Sequence, residues 1–330
     1  MAKANKKIYL LLAGGTCILD KDSRIFAINE KKDIDYWFDL MPELRILADI
    51  ETVLISSEDQ VVDTSVWQKI AKSIVDREKS ADGFVVVTKI DQLVNTSLAI
   101  NFLLQNFKKS IIFTSSQVSG SSFVDKKEVI NKLKSKHGGL GLRTNLINAI
   151  QIACEPLPQT AVLFGTRLIA STKAIVDLQD SINNFISVEG NYLAKIDFGI
   201  NLKSGLKYST KKTEIYPSMS AKVLAIYDIP GIDWQFEQTD MAKYDGLFIK
   251  ISPFQNLENV KIKKINNWKI PTVIFNSRYV PVVKGAVSVS GCTFNSALIK
   301  TIWALSNKKK LPDFENVMKQ NIIGEFNSPR

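Results

Sequence analysis

The segment IYLLLAGGT, residues 8–16, joins an apolar run to two glycines and a threonine. Ile8 to Leu12 has the length and apolar content of a buried strand, and Gly14-Gly15 ends that strand. Glycine lets the backbone turn sharply and lets a ligand approach closely. The segment therefore predicts a strand that presents Thr16 at its carboxyl end.

The same alternation of apolar runs and amphipathic segments continues outward from this strand. The run GFVVVT at 83–88 is wholly apolar up to its last residue, as expected of a strand covered on both faces. Helical spacing of apolar residues on either side of it predicts helices over 65–78 and 93–107. Further strands are expected at Thr52–Ile55, Ser110–Ser115 and Ala161–Phe164, and a helix at Asn145–Cys154. The pattern predicts βαβ units and an α/β fold built on a parallel sheet.

A polar stretch rich in Lys, Ser and Gly divides the chain. We predict an N-terminal catalytic domain over 1–195, a linker over 196–214 and a smaller α/β domain over 215–330. In the smaller domain we expect a helix at Ser220–Tyr227, strands at Gly246–Ile251 and Pro271–Phe275, and a helix at Asn295–Ser306.

Loops at the carboxyl ends of parallel strands form the usual ligand crevice of such sheets. Four segments of this chain fall at those ends, and we expect them to lie near one crevice: Ala13–Cys17, Ser56–Gln60, Thr88–Gln92 and Ser115–Val118.

Charge is unevenly distributed along the 330 residues, whose net charge is +10. Residues 190–330 carry 20 Lys and Arg against 11 Asp and Glu, which leaves open a polyanionic partner such as RNA. The lysines are scattered, however, and the one dense run is Lys308-Lys309-Lys310. This distribution favours a solvated lysine-rich surface over a nucleic-acid partner.

Cysteine and histidine usage indicates a protein without a metal site, and we expect no cofactor. Cys17, Cys154 and Cys292 lie far apart, and His137 is the single histidine. No apolar run reaches the roughly 20 residues that cross a bilayer. We therefore expect a cytoplasmic protein with no membrane segment.

The order of several motifs resembles the bacterial type I/II L-asparaginases, a family that also includes a subunit of a tRNA-dependent amidotransferase. The motifs are AGGTCIL (13–19), MPEL (41–44), ADGFVVVT (81–88), NLINAIQIA (145–153), VLFGTRLIASTKA (162–174), YDGLFIK (244–250), FNSR (275–278) and SGCTFNSALIKTIWAL (290–305). The resemblance covers nearly the whole chain. It implies a two-domain α/β fold and hydrolysis of a side-chain amide through an acyl-enzyme.

In that family a threonine hydroxyl attacks the amide, supported by a second threonine, a lysine and an aspartate. The resemblance assigns Thr16 as the nucleophile and Lys173, in Ser171-Thr172-Lys173, as the lysine. The family's THGTDT loop corresponds here to Thr88-Lys89-Ile90-Asp91-Gln92. With one residue deleted, Asp91 keeps the acidic position and Ile90 replaces the second threonine; without the deletion, Asp91 itself replaces that threonine. The site is therefore degenerate in either alignment.

The resemblance also implies residues that hold the substrate. These are Ser57 and Asp59 in the second loop, Thr88 in the third, and Asn256, which would reach a neighbouring subunit's site. A homodimer or homotetramer is implied as well. Three functions stay open: hydrolysis of asparagine or a related amide, a catalytically impaired homologue that binds a ligand or serves as a partner subunit, and a component of a tRNA-linked amidotransferase.

Overall fold

The computed structural model describes residues 6–22, 24–116, 142–157, 159–177, 183–197, 199–206, 209–279 and 283–327. The chain divides into two compact units, Met1–Ile215 and Tyr216–Arg330. Among the residues named above, His137 and Val118 lie outside the described ranges. Within the described ranges, no helix combines the length and the apolar character needed to cross a membrane.

The first unit alternates strands and helices, as the sequence predicts. Its strands are β1 Lys7–Ala13, β2 Ile18–Leu19, β3 Ile25–Phe26, β4 Asp49–Ser56, β5 Gly83–Thr88, β6 Leu104–Gln105, β7 Ser110–Thr114, β8 Thr160–Phe164, β9 Arg167–Ala170, β10 Ala174–Val176, β11 Phe185–Ser187, β12 Ala194–Ile196, β13 Ile200–Leu202 and β14 Glu214–Ile215. Its helices are α1 Asp33–Asp39, α2 Leu44–Leu47, α3 Thr64–Arg77, α4 Leu93–Leu103 and α5 Leu142–Ala153. Single 3₁₀ turns lie at Ile90–Gln92 and Ser171–Lys173.

Eight strands form the main sheet, in the order β13-β12-β9-β8-β7-β5-β1-β4. Strands β4, β1, β5, β7 and β8 are mutually parallel, whereas β9, β12 and β13 run antiparallel to their neighbours. Ala13 at the end of β1 pairs with Ser56 on one side and with Thr88 on the other. The strand-end loops of β1, β4 and β5 therefore meet at one edge of the sheet, as predicted.

Burial follows the apolar pattern of the central strands. Every residue of β5 is buried, and β1 is buried from its second residue onward. Helix α3 begins where Asp63 accepts hydrogen bonds from the backbone N–H groups of Ser65 and Val66, which satisfies two donors that a helix start leaves free. Its buried face includes Ile70 and Ile74, one helical turn apart.

The segment 196–214, expected to be a linker, instead belongs to the first unit. Strand β13 pairs with β12 at the edge of the main sheet, and β14 pairs with β6. The physical reason is the apolar side chains that alternate through this polar stretch, because Ile200, Leu202 and Leu206 pack against the core of the first unit. The division between units falls after Ile215.

The second unit contains a four-stranded parallel sheet in the order β15-β16-β17-β18. Its elements are β15 Val223–Tyr227, β16 Gly246–Lys250, β17 Thr272–Phe275, β18 Val287–Val289, α6 Gln238–Met241, α7 Asn259–Trp268, α8 Phe294–Ser306 and α9 Phe314–Lys319. The helix expected over Ser220–Tyr227 is a strand, β15. Its sequence VLAIY is rich in β-branched and aromatic residues, and pairing with β16 outweighs the weak helical spacing.

Candidate functional site

The turn after β1 depends on two glycines with positive φ angles, +82° at Gly14 and +69° at Gly15. A Cβ atom built on Gly15 would lie 2.0 Å from the carbonyl oxygen of Thr88 and 3.0 Å from Ser115 Oγ. The turn therefore packs closely against the residues at the ends of β5 and β7. Ser116 also donates its backbone N–H to the Gly15 carbonyl at 3.0 Å. The turn can take this position only with glycine.

Replacing Gly15 by alanine is expected to destabilise the first unit by about 3 kcal/mol, because the new Cβ meets backbone and the φ angle is unfavourable for alanine. The measurement is the urea midpoint of the first unit's unfolding transition. Gly199→Ala is the matched control, since a Cβ there meets no atom within 4 Å. Equal midpoints for the two variants would show that the turn tolerates a side chain.

Thr16 is 1% exposed, and each of its polar atoms makes a hydrogen bond with another residue. Its hydroxyl donates to Glu58 Oε2 at 3.1 Å and accepts from the backbone N–H of Ile28 at 2.9 Å. Its backbone N–H donates to the same Glu58 oxygen at 2.9 Å, and its carbonyl accepts from Trp37 Nε1 at 3.0 Å. The hydroxyl is thus fixed beside a carboxylate before any substrate arrives.

Glu58 is a residue that the sequence motifs do not single out. It is 2% exposed and lies two residues after the end of β4. Ser57 before it is half-buried and Asp59 after it is exposed, whereas Ser56 is buried. The alternation of a strand thus continues past the end of β4 and turns Ser56 and Glu58 inward. The two-residue alternation of the strand was therefore the sequence signal that could have identified Glu58.

The pKa of the Cys17 thiol depends on the charged groups around Thr16 and Glu58. Burial raises the pKa of Cys17 well above its usual value, and the nearby negative charge of Glu58 raises it further. The Lys89 ammonium acts in the opposite direction. Cys17 is therefore a neutral thiol, and the acidic and basic groups around it are Glu58, Asp59 and Lys89.

Three buried hydroxyl groups lie on the strand ends around Thr16. Within the described part of the chain, the oxygens of Ser56, Thr88 and Ser115 have no hydrogen-bond partner. They lie at the ends of β4, β5 and β7, which are neighbours of β1 or one strand removed from it. Unsatisfied buried hydroxyls cost free energy, so their clustering here marks an edge suited to a polar ligand.

Asp91 also lies at this edge, in the 3₁₀ turn that follows β5. Its side chain is exposed, and the neighbouring Ile90 is half-buried. Thr88 is fully buried. The third loop therefore brings its threonine and backbone to the Thr16 turn, while its acid faces solvent.

Lys173 lies in the 3₁₀ turn that joins β9 to β10. Strand β9 runs back along β8, so Ala170 pairs with Ala161, three residues before the end of β8. Asn101 of α4 anchors the turn by donating to Ser171 Oγ at 2.9 Å. The Lys173 ammonium is 3.0 Å from Glu189 Oε1, and both side chains are largely buried. The contact with Glu189 therefore holds a positive charge inside the first unit.

Lys173→Met is expected to destabilise the first unit by about 2 kcal/mol, because it removes the cation paired with a largely buried Glu189 carboxylate. The urea midpoint measures this change, with Lys72→Met, at an exposed position of α3, as the control. Equal midpoints would show that the pair contributes nothing to folding. The role in proton transfer that the resemblance assigns to Lys173 stays a prediction, and kinetics of ammonia release by the same variant test it.

Asn256 belongs to the second unit. Its side chain is exposed, and its Oδ1 accepts a hydrogen bond from Tyr279 Oη at 3.0 Å. The carbonyl of Gln255 is also within hydrogen-bond distance of Tyr279 Oη, so the one hydroxyl proton is shared between the two oxygens. These contacts hold the loop that follows β16.

Comparisons with known proteins place both the sequence and the fold of this chain among the asparaginases and their relatives. Residues 7–208 match the family model described as asparaginase, N-terminal. A glutamyl-tRNA(Gln) amidotransferase subunit of Methanosarcina acetivorans is 23% identical over 350 positions, covering 97% of this chain and 79% of that protein. L-asparaginase 1 of Escherichia coli is 26% identical over 205 positions, covering 60% of this chain and 55% of that protein.

A solved structure described as the thermostable L-asparaginase from Thermococcus kodakarensis has the same fold. It superposes with a TM-score of 0.77 at 19% identity, covering 98% of this chain and all of that chain. The L-asparaginase I of Vibrio cholerae superposes with a TM-score of 0.76 over 98% of this chain. The mixed α/β architecture is therefore shared along almost the whole length.

Proposed function

The chain belongs to the asparaginase family, and on that premise we propose that it hydrolyses a carboxamide with Thr16 as nucleophile and Glu58 as its base. The observation that carries this proposal is the 3.1 Å hydrogen bond from Thr16 Oγ1 to Glu58 Oε2 between two buried side chains. A hydroxyl nucleophile needs a base within hydrogen-bond reach. Glu58 meets that requirement.

The hydroxyl of Thr16 keeps one free lone pair for attack. A hydroxyl has one proton to donate and two lone pairs. The proton is directed at Glu58, and one lone pair accepts from the Ile28 backbone. The other is available to an incoming carbonyl carbon. Thr16 is 1% exposed, so a substrate reaches its hydroxyl only after the groups that cover it move.

The reaction follows in two balanced steps. Thr16 Oγ attacks the amide carbon, and its proton passes to the Glu58 carboxylate. Protonated Glu58 then gives that proton to the departing nitrogen, so ammonia leaves and an ester joins Thr16 to the acyl group. In the second step Glu58 takes a proton from water as the water attacks the ester, and the proton returns to Thr16 Oγ as the acid departs. Asparagine or a related amide is the proposed substrate.

The test is ammonia release from asparagine and from glutamine by the purified full chain. The proposal expects ammonia and the corresponding acid in equal amounts from at least one of these amides. Release no faster than a protein-free control, from a chain that circular dichroism shows to be folded, would contradict it. The oligomeric state, which we propose to be a homodimer or homotetramer, is measured by analytical ultracentrifugation of the same sample.

A second candidate rests on the relatives that match almost the whole chain. Those covering 97% of it include a subunit of a glutamyl-tRNA(Gln) amidotransferase. The alternative is therefore a catalytically impaired homologue that serves as a partner subunit, or an ammonia-releasing subunit that works only in a tRNA-dependent complex. Binding of tRNA at low salt that weakens steeply with added salt would favour the latter. Absence of any tRNA shift at low salt would remove it.

A further inference from the structure

The side chain of Lys89 lies directly over the turn that carries Thr16. A Cβ built on Gly14 would be 3.0 Å from Lys89 Cγ and 3.1 Å from its Cε. The aliphatic stem thus rests on Gly14, two residues before Thr16. The Lys89 side chain can pack there because Gly14 has no side chain.

The ammonium of Lys89 also differs from those of four other lysines around this sheet. Lys6, Lys7 and Lys173 each have a carboxylate partner, and Lys109 donates to two backbone carbonyls. Within the described ranges, the Lys89 side chain has no hydrogen bond or ion pair. Lys89 is half-buried as a residue, and its stem packs on Gly14, so its ammonium is held near the Thr16 turn without a hydrogen-bond or ion-pair partner among the described residues.

A positive charge at this position meets a requirement of the proposed reaction. Glu58 places a buried negative charge at the nucleophile, and that charge repels any substrate that carries a carboxylate. The ammonium of Lys173, the lysine that the resemblance assigns to the site, is already paired with Glu189. Among the described residues at the Thr16 edge, Lys89 is the cation whose charge reaches the residue next to Thr16.

We propose that the ammonium of Lys89 binds the carboxylate of the substrate. Lysine acts in such a contact as a point charge. The unpartnered hydroxyls of Thr88 and Ser115 lie at the same edge and offer donors to the same anion. This inference rests on the proposed function for the identity of the reaction, but the binding itself is measurable without turnover.

The experiment measures binding of L-aspartate, the product of asparagine hydrolysis, by calorimetry. We expect the wild-type chain to bind it, Lys89→Met to weaken binding about tenfold, as for the loss of one charge-assisted contact, and Lys89→Arg to restore most of it. Lys72→Met, at an exposed lysine on α3, is the matched control and should bind as the wild type does. Where turnover is present, Lys89→Met should raise KM for asparagine and leave kcat nearly unchanged.

Equal affinity of wild type and Lys89→Met for L-aspartate would overturn the inference, as would failure of the wild type to bind it. Absence of ammonia release together with Lys89-dependent binding of L-aspartate would remove the proposed hydrolysis and support the role of Lys89. Ammonia release with an unchanged KM in Lys89→Met would support the proposed hydrolysis and remove the role of Lys89.

Discussion

Thr16→Val is expected to lower ammonia release from asparagine by at least about 10⁴-fold, because removing the nucleophile of a covalent mechanism leaves only residual binding effects. Valine keeps the volume and branching of threonine in this buried position. It loses the hydroxyl that joins Glu58 to the backbone of Ile28. Steady-state assays on the folded variant measure the loss.

Thr16→Ser is the matched control for that experiment. Serine keeps the hydroxyl and its hydrogen bonds while losing one methyl group, so measurable activity should remain. Turnover by Thr16→Val at a level close to the wild type would exclude Thr16 as the nucleophile, whatever the serine variant does. Melting temperatures of both variants establish that the turn remains folded.

Glu58→Gln is expected to lower kcat by about 10²- to 10⁴-fold, the usual contribution of a general base. Glutamine has the same shape, and its carbonyl oxygen can still accept from the Thr16 backbone N–H, which donates to Glu58 at 2.9 Å in the native chain. It cannot take the proton of the attacking hydroxyl. The predicted change is therefore in kcat, with the fold retained.

Glu51→Gln controls for the loss of a negative charge on the strand that leads to Glu58, since Glu51 is exposed and pairs with Lys7 at 3.0 Å. An exposed pair contributes about 1 kcal/mol or less, so this variant should keep wild-type activity. A Glu58→Gln enzyme as fast as Glu51→Gln would mean that another group accepts the proton.

Much of the architecture is readable from residue patterns. The apolar runs of β1 and β5 and the helical spacing of α3 predict the parallel sheet that the structure contains. The pattern fails where local spacing competes with pairing to a distant strand. Strand β15 pairs with β16 across the intervening helix α6, and no short window of sequence reports that contact.

The residues at the end of β1 were predictable only in part, because a short stretch of sequence reports local turns but not contacts with distant segments. Gly14-Gly15 followed by Thr16 at a strand end identifies a turn that needs positive φ, and the structure has it. Choosing Glu58 among three consecutive polar residues requires knowing which of them faces inward. The ion pair of Lys173 depends on the hairpin β10–β11, which brings Glu189 beside it, and motif similarity alone does not report that pairing.

The most direct test is mass spectrometry of the acid-quenched protein after mixing with an activated aryl β-ester of aspartate. A good leaving group makes formation of the acyl-enzyme fast, so its hydrolysis limits turnover and the ester accumulates. The Thr16–Glu58 mechanism predicts an aspartyl ester on the peptide that contains Thr16, and no such adduct in Thr16→Val. Turnover of the ester with Thr16 unmodified, or an adduct on another residue, would contradict it.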